Sequence, residues 1–112
     1  MLNLITLVGR LTSDPQINEV EGKKVSTITL AVPRSFKNAE GEYENDFIDI
    51  VLWSAIAENT TEYCRKGDLV GIKGRVQTTI NENEDGTKNY KLEVIAEKVT
   101  FLSSKKSNEE EK

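Results

Sequence analysis

Alternation of apolar side chains with a period of two recurs along this chain and gives way to helical spacing once, at about 55–66. That pattern confines the fold to a β-sheet or barrel carrying a single short helix. The clearest stretch is 46–53, where Ile48, Ile50 and Leu52 point one way and Phe47, Asp49, Val51 and Trp53 the other. Residues 24–34 behave alike, with Ile28, Leu30 and Val32 opposite Thr27, Thr29 and Ala31. Residues 3–11 are rich in branched side chains and stop at Thr12-Ser13-Asp14-Pro15, a turn sequence. A short piece at 16–20 leads into a turn at Glu21-Gly22, and residues 37–45 read as a polar loop. A long strand is expected at 69–80, with Gly71 and Gly74 where a barrel strand bends. A hairpin loop at 81–88, containing Asp85-Gly86, joins it to a last strand at 89–101.

The helix aligns Ile56, Thr60, Tyr63 and Cys64 on one side. Ser54 suits its N-cap, Arg65 and Lys66 suit its last turn, and Gly67 suits the residue just beyond. The expected architecture is all-β with one short helix, five antiparallel strands with the helix between the third and fourth. The oligonucleotide- and oligosaccharide-binding (OB) fold, a five-stranded Greek-key barrel, has this plan. A five-stranded meander gives similar signals. One domain is expected at 1–102, followed by a short polar, charged tail at 103–112.

Composition narrows the chemistry. With no histidine and one cysteine, Cys64, the chain can build no Ser–His–Asp triad, no Cys–His pair, no His- or Cys-rich zinc site and no internal disulfide. Cys64 reads as a helix core residue, and its solitary state suits a reducing cytoplasm. Neither a signal peptide nor a transmembrane span is visible. Carboxylate-only enzymes and binding proteins remain. A magnesium nuclease built on Asp14, Asp46 and Asp49 is the weakest of these, because the three have no evident common site. The formal net charge of −4 argues against an indiscriminate polycation, although a local cluster of Lys and Arg can dominate the field in a groove.

The outward faces carry the candidate chemistry. A sheet face exposed to water is expected to be polar, yet Phe47 and Trp53 share one. They either pack under a partner or loop, or form a platform for flat ligands. On 69–80, Lys73, Arg75, Gln77 and Thr79 fall opposite Ile72, Val76 and Ile80, as a row able to track phosphates or as an ordinary solvated face. Arg34, Phe36 and Lys37 form a third patch at a strand end, and Arg10 follows Gly9. Glutamates gather at 40, 42 and 44 and, with Asp85, at 82 and 84, as solubilising loop tips. Rings that stack on any base, together with cations that neutralise phosphates, meet the physical requirement for binding single-stranded nucleic acid without sequence preference.

The order of these residues resembles bacterial single-stranded DNA-binding proteins. The segments concerned are Leu7-Val8-Gly9-Arg10-Leu11-Thr12-Ser13-Asp14-Pro15, Thr29-Leu30-Ala31-Val32 with Arg34-Ser35-Phe36, Asp46-Phe47-Ile48 through Leu52-Trp53, Tyr63-Cys64-Arg65-Lys66-Gly67, Gly74-Arg75-Val76-Gln77-Thr78 and Tyr90 with Glu93-Val94. The resemblance implies an OB barrel, usually a homotetramer, that wraps single-stranded DNA in replication, recombination and repair, with no catalysis, metal or cofactor. By position, Phe36, Phe47 and Trp53 would stack bases, and Arg10, Arg34, Lys73 and Arg75 would contact phosphates. Lys37, Gln77 and Thr79 complete the candidate surface.

The departures from the family pattern are Asn81 in place of a common aromatic, Thr79 in place of a base, Pro33 in place of a polar residue, and Ser54-Ala55 in place of a basic pair. They imply weaker binding, a smaller occluded site or a different DNA path. The alternative is an OB-fold protein-interaction module with reduced or lost DNA binding. The tail ends Asn108-Glu109-Glu110-Glu111-Lys112 without the aromatic-tipped acidic peptide of long family members. Recruitment of repair and replication enzymes through it is expected to be weak or absent, as in a short paralogue or a phage or mobile-element copy. No membrane partner is expected, and the implied location is cytoplasmic, at the nucleoid.

Overall fold

The alternating segments become the staves of a barrel in the computed structural model, which describes residues 2–102. In chain order the elements are β1 (Ile5–Leu11), β2 (Asn18–Val20), β3 (Lys23–Lys37), β4 (Tyr43–Trp53), α1 (Ser54–Tyr63), β5 (Leu69–Glu82) and β6 (Lys88–Phe101). Pairing runs β1–β5–β6–β4–β3, and a short β1–β3 ladder closes the ring. β4 and β6 are parallel; the other ladders are antiparallel. β2 is an edge strand on β3, joined by a two-residue turn in which Glu21 and Gly22 both take positive φ. The expected five-stranded OB barrel is therefore present, with α1 between its third and fourth strands.

Alternation explains the core. Leu30, Ile50, Leu52 and Val70 are wholly buried, with Ile28 and Ile72 almost so. Each such side chain contributes ~1.5–3 kcal/mol relative to exposure. Barrel curvature needs close backbone approach at two glycines. A Cβ on Gly9 would lie 2.5 Å from the Ala31 carbonyl oxygen, and one on Gly74 would collide with the Ile95 carbonyl. Gly74 also marks the register shift between β5 and β6, the bend expected there.

The helix differs from expectation at both ends. Trp53, still extended at φ −117°, is the N-cap, and Ser54 is the first helical residue with φ 53°, making no capping hydrogen bond. The chain turns sharply off β4 through this left-handed residue, so the serine hydroxyl sits one position too late to cap. The helix ends at Tyr63 rather than near 66, with Cys64 already extended. Arg65 lies past the end, yet its guanidinium donates to the carbonyls of Thr61 and Cys64 at 2.9 and 2.7 Å and so still satisfies orphan acceptors. Cys64 is buried, as expected of a core residue.

The two hairpins are longer than the sequence suggests. Asn38 Oδ1 accepts from the Glu40 and Glu42 amides, closing a tight turn that lets β3 reach Lys37 and β4 start at Tyr43. Asp85 Oδ1 accepts from the Thr87 amide and hydroxyl, so the second turn shrinks to 83–87. The β5–β6 arm thus projects past the barrel mouth. There Ile80, whose alternation matches Ile72 and Val76, is 56% exposed beside its partner Tyr90. The tail at 103–112 lies outside the described residues.

Candidate nucleic-acid interface

Strand register decides which side chains share the outer surface. Val51 on β4 pairs with Thr27 on β3 and Ile95 on β6, and Ile95 pairs with Arg75 on β5. Residues directly opposite across a ladder face the same way. One outer row therefore crosses four strands from Thr27 to Arg75. A second row crosses three, because Ala31 pairs with both Arg10 of β1 and Phe47 of β4. Phe47 and Trp53, on the β4 side opposite Ile50 and Leu52, are 67% and 37% exposed. The rings thus stand on β4, and Arg10 and Arg75 stand on β1 and β5, each two ladders from β4 around the ring and on strands that pair with each other.

The remaining candidates divide. Lys73 and Arg75 alternate with buried Ile72 and Gly74 on β5, and Gln77 and Thr79 continue that side along the arm, paired with Glu93 and Lys91. Lys73 makes no hydrogen bond or ion pair among the described residues. Arg75 is committed, donating to Gln77 Oε1 and lying 3.8 Å from Glu97. Arg10 donates to the Gly67 carbonyl at 2.9 Å. The Lys37 ammonium stands 5.6 Å from the centre of the Tyr43 ring. Phe36, 71% exposed, lies inside the register irregularity between Pro33 and Lys37, where no ladder pairing ties it to the Phe47 side.

Arg34 faces elsewhere. Its Nε and Nη2 donate to one Asp46 oxygen at 3.1 and 2.8 Å, and its Nη1 to Glu44 at 3.3 Å. Alternation along β4 puts Asp46 on the side of Ile48 and opposite Phe47. Hydrogen bonding from Arg34 holds the Asp46 carboxyl below the usual carboxylate range and raises the guanidinium in turn.

Tyr43 and the β6 acids escaped the sequence, whereas Asp49 already stands with Phe47 and Trp53 in the alternation of 46–53. Tyr43, 61% exposed on the Phe47 side of β4, adds a third ring there. Acids are also not confined to loop tips: Asp49, which accepts from the Thr29 hydroxyl at 2.6 Å, shares the flank with Glu93 and Glu97. Alternation along β4 identifies Tyr43 in principle. The β6 acids depend on a register that the shift at Gly74 hides. Asp14, Asp46 and Asp49 have separate partners (the Lys66 amide, Arg34 and Thr29), and among the described residues no cluster suited to a metal ion forms.

A cavity of about 380 Å³ lies between α1 and β6, lined by Ile56, Asn59, Thr60, Tyr63, Val99 and Phe101. None of the candidate residues reaches it. Among the described residues no helix is long and apolar enough to cross a membrane.

A closed five-stranded barrel with one helix between its third and fourth strands, carrying exposed rings and cations on its outer surface, is an OB-type barrel. The chain belongs to the single-strand binding protein family, whose sequence model matches residues 2–102. It is 51% identical over 106 residues to single-stranded DNA-binding protein B of Bacillus subtilis (strain 168), covering 94% of each chain. It is 49% identical over 108 residues to single-stranded DNA-binding protein 3 of Listeria innocua, covering 96% of this chain and 68% of that one. To single-stranded DNA-binding protein 1 of Staphylococcus aureus (strain Mu50) the identity is 48% over 110 residues, covering 97% and 70%.

Proposed function

We propose that this protein binds and protects single-stranded DNA without sequence preference during replication, recombination or repair. Bases stack on Phe47, Trp53 and Phe36, while Arg10, Lys73, Arg75, Lys37, Gln77 and Thr79 hold the backbone, and Arg34, on the other side of the β3–β4 arm, meets a strand that passes around that arm. The observation that supports this is the exposure of Phe47 and Trp53 on the outer side of β4, with Arg10 joined to Phe47 through Ala31 in one outer row and Arg75 joined to β4 through Ile95 in another. Every base has a π face, so each stack contributes ~1–3 kcal/mol whatever the sequence. The protein acts by holding the strand, with no chemical step, and works in the cytoplasm as a homotetramer. Exposed Leu2 and Leu4 beside β1 supply apolar surface for self-association.

Trp53 is the sole tryptophan, so its emission reports the face directly. Titration with oligo-dT at low salt quenches it. Folded protein whose emission is unchanged at saturating oligonucleotide overturns the proposal. A protein-interaction module is the second reading, favoured by Asp49, Glu93 and Glu97 on the same flank. It predicts no loss of partner binding when Lys73 and Arg75 become alanine.

A further inference from the structure

We infer that Asp46 and Glu44 compete with nucleic-acid phosphate for the Arg34 guanidinium, so that these two carboxylates set how tightly the β3–β4 arm holds a polynucleotide. This rests on the single-strand binding proposed above. Arg34 offers planar N–H donors suited to carboxylate and phosphate alike. Here Nε, Nη1 and Nη2 are all already engaged on carboxylate oxygens. One cation against two anions leaves the cluster net negative, so an approaching phosphate meets repulsion before it meets a donor.

The cluster is also built rather than incidental. Asn38 Nδ2 donates to the other Glu44 oxygen at 2.9 Å, while Asn38 Oδ1 holds the Glu40 and Glu42 amides. Glu44 is therefore fixed from both sides and keeps its place beside Arg34. The lowered Asp46 and raised Arg34 ionisations agree with a pair that is charged at neutral pH. All three side chains remain about half exposed, so a polyanion can reach and exchange with them.

The test compares wild type, Asp46→Asn, and the Arg34→Ala/Asp46→Asn double variant by oligo-dT titration at two or more salt concentrations. Asn is isosteric and leaves the Asn38–Glu44 bond in place; thermal melts verify folding. Expected for Asp46→Asn is about tenfold tighter binding at low salt, the low end of a hydrogen bond to a charged group. The salt dependence should steepen by ~0.7 for one more phosphate neutralised. Both gains should vanish in the double variant. Unchanged or weaker binding by Asp46→Asn overturns the inference, and so does a gain that survives loss of Arg34. Failure of wild type itself to bind overturns the single-strand proposal as well, and is visible before any variant is measured.

Discussion

Arg10 and Phe47 meet across a single residue: Ala31 pairs with the arginine on one side and with the phenylalanine on the other. The arginine is steadied by its bond to the Gly67 carbonyl, so charge and ring keep a constant relation across the β1–β3 closure. A binding face of this kind depends on the barrel being closed, because Arg10 and Phe47 belong to strands far apart in sequence.

In the proposed function the rings carry the sequence-independent part of binding. Phe47→Ala and Trp53→Ala each weaken oligo-dT binding by about 5- to 150-fold, the equivalent of ~1–3 kcal/mol per stack. Phe47 is two-thirds exposed, so Phe47→Ala leaves the denaturation midpoint nearly unchanged. Equal losses on dT and mixed-sequence oligonucleotides, read by fluorescence anisotropy, check this.

The cations differ in how free they are. Lys73→Ala lowers the slope of log affinity against log salt by ~0.7, one phosphate on a single strand. Arg75→Ala lowers it by less, because Gln77 and Glu97 already hold the guanidinium. Salt titrations of both variants decide the order.

Closure itself can be probed at Gly9. Gly9→Ala drives a methyl against the Ala31 carbonyl, and overpacking of this kind costs about 1–3 kcal/mol. The denaturant midpoint falls accordingly, and DNA binding weakens with it because Arg10 is the next residue.

Burial pushes the Cys64 thiol up from 9.0 to about 11, with Asp68 adding to the shift. The folded protein therefore keeps its proton where the unfolded chain releases it. The resulting stability is fully present below pH 9.0, the thiol's ordinary value, and is lost as pH rises toward about 11. Thiol-reactive dye labels the native protein slowly at pH 8 and the denatured protein quickly. Comparable rates in the two states contradict this.

What the residues disclosed and what they withheld follow from the range of each interaction. The inward set Ile28, Leu30, Ile50, Leu52 and Ile72 is a local period-two signal, and each of these residues is buried. Phe47 and Trp53 stood out for the same reason. The left-handed turn at Ser54 carries no signature, since serine is not a residue that favours positive φ. Arm length depended on side-chain closure by Asn38 and Asp85, which turns a polar stretch into a tight corner. The occupation of Arg34 is a cross-strand fact: Asp46 lies twelve residues on, and only the β3–β4 register brings the pair together.

The rings stand on β4, whereas the unencumbered Lys73 ammonium belongs to β5, two ladders distant across β6. At ~4.8 Å per ladder, that is roughly 10 Å measured across the strands. In the proposed function, a polymer that engages both the rings and this ammonium crosses the grain of the sheet rather than following one strand. On that reading, fragments too short for the crossing reach either end alone, and contour length, rather than the identity of any base, is what the surface discriminates.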